Sequence, residues 1–198
     1  LQEVARAVVE HARKLCELAA VATTEQQYLA LLAERDSLQV VCAHRRGNLG
    51  VSGWNAAVER QLGALARGQW YPGRPVMVTR NDYFSGLSNG DIGVACRDAS
   101  GGPVVVFGDP EGVTVLPVAR VPHVETVHAL TIHKSQGSEF GHTIVVLPRR
   151  ASRILTRELL YTGITRAKPD LTLVATEEVL RSAVVTKVQR ATGLADLI

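Results

Sequence analysis

Residues 126–147 read TVHALTIHKSQGSEFGHTIVVL. Two apolar runs, V-H-A-L at 127–130 and T-I-V-V-L at 143–147, flank the polar string TIHKSQGSEF at 131–140. Apolar runs of that length, bounded by turn residues, predict buried strands, here over 126–132 and 143–147. Between them stand a hydroxyl, an imidazole, an ammonium, an amide, a carboxylate and a glycine. In open α/β sheets, ligands bind beyond the carboxyl ends of the strands. A polar string at the end of a buried strand is therefore a place to look for chemistry.

The flanking sequence repeats the same texture. LQVVCA at 38–43 predicts a short buried strand, and HRRGNLGVSGWNAAVERQLGALA at 44–66 a glycine-rich loop followed by a helix from about Trp54. Strand, loop, helix is the α/β pattern. Upstream, Val4, Val8, Leu15 and Leu18 recur at helical spacing over 2–20, and a second helix is expected over 24–35. Downstream, a helix is expected at about 156–167, a strand at 171–176 and a helix at 177–190. That last helix is introduced by Thr176 and carries Glu177 and Glu178 in its first turn.

The texture changes between Tyr71 and about Pro122. Short β-branched runs alternate with N-G-D, S-G-G and D-P-E-G. Turn signals at such close intervals predict a small all-β barrel or sandwich of about five strands. The expected organisation is one α/β domain, residues 1–70 and 123–198, interrupted by a β unit at 71–122.

Composition narrows the class. Hydrophobic residues make up 46% of the 198 and aromatics 5%, so the core is built from Val, Leu, Ile and Ala. The net charge of +3 permits an anionic partner without demanding one. Cys16, Cys42 and Cys96 are widely spaced and form no C-x-x-C pattern; their ordinary reading is as small buried hydrophobes in a reducing compartment. No run approaches the ~18 apolar residues of a membrane span and no signal peptide is visible, so a cytoplasmic protein is expected. The single methionine is Met77 and the chain begins at Leu1 inside a helical pattern, so a piece of a longer protein is expected.

Three polar clusters fall at predicted strand ends or on the helix that follows: HRRG at 44–47, TIHKSQGSEF at 131–140 and YTGITRAK at 161–168. Gly137 allows a close backbone approach or a turn at positive φ. Lys134 can serve an anion, and Glu139 can accept from a ribose hydroxyl. Arg166 and Arg45 each carry a planar, permanently charged fork suited to phosphate oxygens. The plain alternatives are a surface ion pair for a lone arginine and a structural hydrogen bond for His133. His128 and His133 have no third partner at metal-ligand spacing, so no metal site is expected. Ser135 near His133 lacks a G-x-S-x-G elbow and an evident acid, which argues against a serine hydrolase. No G-x-x-x-x-G-K-[ST] occurs, since GNLGVSG at 47–53 has no lysine. Such a chain is not expected to hold Mg-ATP as a complete P-loop enzyme does.

Taken together these strings resemble the superfamily 1 helicases. VHALTIHKSQGSEF at 127–140 looks like motif V, ELLYTGITRAK at 158–168 like motif VI, and LQVVCAHRRGNLGVSGWN at 38–55 like motif IV. GRPVMVTRNDYFSGLSNGDIG at 73–93 resembles the inserted domain of RecD-type 5′→3′ helicases. The resemblance runs from about residue 38 to the C-terminus. It implies a RecA-like motor domain (2A) interrupted by an SH3-like barrel (2B), with the P-loop on another motor domain. It also implies an ATP-dependent DNA helicase of double-strand break repair and recombination, with ATP and Mg²⁺ held mainly by that other domain. Single-stranded DNA is the implied substrate and RecB and RecC the implied partner subunits.

By motif position, Arg166 resembles the arginine finger on the γ-phosphate. Arg45 resembles the motif IV arginine on the same phosphate, with Arg46 as competitor. Gln136, Gly137 and Glu139 resemble the nucleotide edge. Thr131, His133 and Lys134 resemble residues on the DNA backbone, and Asn81 and Asn89 are DNA candidates in the barrel, where Asn-Gly and Asn-Asp are also ordinary turn chemistry. A different class remains open: a non-catalytic module binding DNA or a partner through the barrel and the basic loop RRASRILTR at 149–157.

Overall fold

A computed structural model describes residues 1–188 of the chain. In chain order the elements are α1 (Gln2–Val21), α2 (Glu25–Ser37), β1 (Leu38–Cys42), α3 (Val51–Leu62), β2 (Pro75–Val78), β3 (Ile92–Arg97), β4 (Pro103–Asp109) and β5 (Gly112–Pro117). There follow β6 (Val124–Thr126), β7 (Ala129–Thr131), β8 (Phe140–Val146), α4 (Arg157–Ile164), β9 (Ala167–Val174) and α5 (Glu177–Val185).

Four strands form a parallel sheet ordered β7-β1-β8-β9. Its central strands are apolar on both faces, as a sheet covered twice must be. Val40 and Cys42 of β1, with Ile144 and Val146 of β8, pack under α1 and α3 against Val8, Ala12, Trp54 and Val58. Val41 and Val145 point the other way and meet Leu159 and Leu160 of α4 and Val179 and Ala183 of α5. Three of the helices start on threonine caps. Thr24 and Gln27 form a reciprocal capping box at α2, and Thr156 and Thr176 cap α4 and α5.

The other five strands form an antiparallel sheet ordered β5-β4-β3-β2-β6. The β unit expected at 71–122 is present as five antiparallel strands, but closure into an SH3-like barrel is not shown: β5 and β6 do not pair with each other, and the sheet reaches past residue 122 to Thr126. One reason is packing. Val94, Cys96, Val104 and Val106 are covered by Leu15 and Ala19 of α1 and Tyr28 and Leu31 of α2. Only the opposite face keeps a core of its own, around Val76, Val78, Val105 and Phe107. The two N-terminal helices thus serve both sheets. Gly73 marks the tightest approach: at φ +87 it lies so close to α1 that a Cβ would sit 2.5 Å from the Cα of Cys16.

The strand expected over 126–132 is two strands. Val124–Thr126 pairs antiparallel with β2, Val127 and His128 cross over, and Ala129–Thr131 pairs parallel with β1. Side chains from remote segments satisfy the backbone at the crossing. Asn55 donates from Nδ2 to the Thr126 carbonyl at 2.8 Å and accepts the Ala129 amide at 2.9 Å. The buried Gln39 amide donates to the Val127 and His128 carbonyls at 3.4 and 3.3 Å. His128 Nε2 lies 2.8 Å from the Tyr71 hydroxyl, which lies 3.3 Å from Glu59 Oε1.

Two further boundaries differ from expectation. The helix expected to residue 167 ends at Ile164 and β9 starts at Ala167, because the Arg166 carbonyl accepts the Phe140 amide at 2.8 Å and draws the chain onto β8. The helix expected over 177–190 ends at Val185; residues 189 and 190 lie outside the described residues.

The crossing yields two expectations. Asn55→Ala removes two hydrogen bonds and strands partly buried backbone groups, so it lowers stability by about 2 kcal/mol in a urea titration. His128 has its pKa lowered from 6.5 to about 3, by burial first and then by the charges of His11 and Arg74. The unfolded chain therefore binds the extra proton, and stability falls as pH drops from about 6.5 toward 3. At pH 5 this one group removes about 2 kcal/mol relative to neutral pH. His128→Gln should flatten that part of the pH–stability curve; an unchanged slope would locate the acid sensitivity elsewhere.

Candidate functional site

The loop leaving β7 is a tight turn with alternating inward and outward side chains. The Thr131 hydroxyl accepts the Lys134 amide at 3.2 Å, and the Thr131 carbonyl accepts the Ser135 amide at 3.1 Å. Ser135 is wholly buried and donates to the Ile132 carbonyl at 2.9 Å, so it is a structural serine. Gly137 stands at φ +86 with open space where a Cβ would be. Its requirement is the left-handed backbone, not crowding. With Ile132, Ser135 and Phe140 turned inward, His133, Lys134, Gln136 and Glu139 are left exposed.

Two other segments meet this loop. The first follows β1. Arg45 Nη2 donates to Glu125 Oε2 at 3.2 Å, and Lys134 Nζ donates to the other oxygen of the same carboxylate. These three residues, with Ser52, Asn55 and Thr131, line a cleft of about 340 Å³. Arg46 faces a different cleft, beside His44, Asn48 and Arg149. Geometry therefore separates the two adjacent arginines: only Arg45 shares a cleft with Thr131 and Lys134.

The second segment is the end of α4. Arg166 donates from Nε to the Thr162 carbonyl at 3.1 Å, from Nη1 to the Ser138 carbonyl at 2.9 Å and from Nη2 to the Thr165 hydroxyl at 3.1 Å. A guanidinium has five N–H donors, so two remain for a ligand. The bond to Ser138 ties α4 directly to the loop. His133 and Gln136, on the far side of that loop, line a cleft of about 820 Å³ with Arg153, Thr156, Glu158 and Thr162.

Not every expected residue joins these groups. Glu139 lies on the exposed surface, 3.6 Å from Lys168. Asn81 and Asn89 sit in the β2–β3 hairpin, where Asn81 Oδ1 accepts the Asn89 amide at 2.7 Å, a turn-building bond. Arg45 and Arg166 share neither a cleft nor a hydrogen bond among the described residues. Glu125, Asn55 and Thr162 were not singled out by sequence, and no local pattern marks them.

The chemistry on offer is anion binding. Arg45, Lys134 and Arg166 present cationic donors on or beside one loop at the carboxyl end of a parallel strand. Among the described residues no group of three or more His, Cys, Asp or Glu is placed to hold a metal ion, and no helix is long and apolar enough to cross a membrane. Burial pushes the Cys42 and Cys96 thiols up to about 12 and the Cys16 thiol to about 11, which keeps them protonated.

Glu125 neutralises two of the three cations, but the Arg45 side chain is 72% exposed, so the pair adds little stability. Glu125→Gln should change stability by less than about 1 kcal/mol. It should nevertheless make the protein elute from immobilised heparin at higher salt, because two cations are freed. Elution at the same salt would show that Glu125 does not mask them.

Comparison with known proteins gives the same region prominence. The profile of the UvrD-like helicase C-terminal domain matches residues 126–174, from the end of β6 through β9. The RecBCD enzyme subunit RecD of Mycolicibacterium smegmatis is 43% identical over 98% of this chain and 34% of its own length. The RecD subunit of Haemophilus influenzae is 38% identical over 85% of this chain and 26% of its own. The ATP-dependent RecD2 DNA helicase of Deinococcus radiodurans is 33% identical over 67% of this chain and 19% of its own. The chain spans about a third of the length of the first RecD relatives it matches.

Proposed function

From a chain that is a RecD-type segment of the superfamily 1 helicases, we propose the C-terminal motor half of an ATP-dependent 5′→3′ DNA helicase. The observation that carries the reading is the Arg166–Ser138 bond, which joins a cationic helix end to the exposed loop at the end of β7. In this reading residues 1–70 and 123–198 form the RecA-like domain 2A, and 71–122 the inserted unit 2B. The β6 pairing to Thr126 supports ending the inserted unit a few residues beyond 122.

ATP would be held mainly by a second motor domain, which also supplies the magnesium ligands. The residues of this chain fit the phosphate end. Arg166, with two free donors, and Arg45 would meet oxygens of the γ-phosphate. A guanidinium aimed at a transferring phosphoryl group supplies about 10³–10⁵ in rate. Gln136, Gly137 and Glu139 would take the nucleotide edge of the loop. Thr131, His133 and Lys134 would take phosphates of single-stranded DNA, a grip without sequence preference.

The tie to Ser138 supports coupling. When Arg166 shifts onto or off a phosphate, the loop that grips DNA is pulled with it. The chain alone is then inactive as an ATPase, and the complete protein works in double-strand break repair with RecB and RecC. A supplementary DNA contact is supported by Arg149, Arg150, Arg153 and Arg157, all exposed, of which Arg157 pairs with Glu158 at 3.7 Å. Unchanged DNA affinity after neutralising all four would remove that contact.

The deciding test is made on the full-length protein. Arg166→Ala should lower DNA-stimulated ATP turnover by about 10³-fold or more. Its stability should drop by only about 1–2 kcal/mol, since the hydrogen bonds lost are part-buried. Arg166→Lys keeps the charge but not the fork, and should recover stability better than turnover. Near-normal turnover in Arg166→Ala would end the motor reading.

A further inference from the structure

The hairpin between β2 and β3 carries a feature that the motor reading does not use. Tyr83 and Phe84 are 92% and 96% exposed, in a chain only 5% aromatic. Tyr28, Trp54, Tyr71, Phe107 and Phe140 are all buried. A single exposed apolar side chain calls for no explanation, but two adjacent rings held in water do.

The hairpin is built to hold them there. The Asp82 amide donates to the Leu87 carbonyl at 2.8 Å, and the Leu87 amide donates back at 3.1 Å. Asp82 Oδ1 accepts the Phe84 amide at 3.0 Å and Oδ2 accepts the Ser85 hydroxyl at 2.8 Å. The Asn81–Asn89 bond closes the neck, and Leu87 anchors the turn in the apolar core of the sheet. The side chain of Leu87 is buried while the two rings beside it are displayed. A turn this constrained presents flat apolar faces at low conformational cost.

The surroundings select the occupant. The two nearby carboxylates are already engaged: Asp82 as above, and Asp91 by the Ser88 amide at 2.7 Å. Hydrogen bonds from Ser85 and the Phe84 amide, with the Arg120 charge nearby, hold the Asp82 carboxyl below its usual range. Arg80 is exposed at the start of the hairpin. The returning limb, Gly90–Ile92, lines a groove with Ser138, so the hairpin borders the loop at 131–140. Exposed aromatic faces on a hairpin that carries Arg80 and borders the loop at 131–140 are the combination that takes unpaired nucleic-acid bases.

We propose that Tyr83 and Phe84 are a stacking platform for bases of single-stranded DNA. The proposal rests on the motor reading for the identity of its ligand. Stacking is tolerant of sequence, so the platform would hold a base of any kind while the loop at 131–140 holds phosphates.

The test uses anisotropy of a labelled oligo(dT) with the wild-type protein, the double variant Tyr83→Ala/Phe84→Ala, and Phe84→Trp. The double variant should bind roughly 10- to 100-fold more weakly. The salt dependence of binding should keep its slope, because neutral rings release no counterions. The melting midpoint should not move, because neither ring is buried. Phe84→Trp should keep wild-type affinity and show indole emission quenched by oligo(dT). Unchanged affinity in the double variant overturns the platform. So does an altered salt slope, a loss of self-association with no change in oligo(dT) affinity, or a wild-type protein that does not bind oligo(dT). The two readings fail separately. Unchanged oligo(dT) affinity in the tip variant leaves the Arg166 result standing. Retained turnover in Arg166→Ala ends the motor while leaving a DNA-binding hairpin.

Discussion

One extended segment, Val124–Thr131, belongs to both sheets, and the arrangement of everything else follows from how it crosses. Its first three residues are an edge of the antiparallel sheet and its last three an edge of the parallel one. Between them the backbone has no ladder on either side. Asn55, Gln39 and Val127's own bond to the Pro75 carbonyl satisfy its polar groups, and the Tyr71–His128 contact fills the space behind. A buried peptide group without a partner costs about 1–3 kcal/mol, so this crossing has one register that works. A slip by one residue would exchange the two faces on which Ala129 and Leu130 are buried.

That register sets the site. β7 ends at Thr131, so the polar string starts at the carboxyl edge of the parallel sheet, next to the loop that follows β1. The same segment places Glu125 between Arg45 and Lys134. A carboxylate carried by the antiparallel sheet thus touches two cations carried by the parallel one. Any ligand that displaces Glu125 also acts on the contact between the two sheets. On the other side of the loop, Arg166 donates to the Ser138 carbonyl, so a helix end and a turn are directly linked. These are short, direct links between segments far apart along the chain.

Much of this was legible in the residues themselves. The α/β texture, the β-rich interruption and the three polar clusters come from patterns a few residues long: alternation, apolar runs, N-G and S-G turns, a threonine followed by two glutamates at a helix start. Other features were not legible, for identifiable reasons. The run from 126 to 132 looks like one strand because its apolar content is continuous, and nothing within it announces a change of sheet. The antiparallel unit reads as a small barrel or sandwich, and strand lengths and turns do not reveal that α1 and α2 cover one face.

What the sequence alone determined is the inventory: which segments are strands and helices, and which strand ends carry guanidinium, ammonium and hydroxyl groups. Those properties are encoded locally, by the period of the apolar residues and by turn chemistry. What only the tertiary structure decided is who meets whom. Arg45 rather than Arg46 shares the cleft with Lys134, Glu125 bridges them, Asn55 clamps the crossing, and Tyr83 and Phe84 are left in water. The residues concerned lie far apart along the chain: 80 residues separate Arg45 from Glu125, 74 separate Asn55 from Ala129, and 89 separate Gln39 from His128. Contacts of that range form only when two sheets and the helices between them pack together, so no window of sequence can hold them.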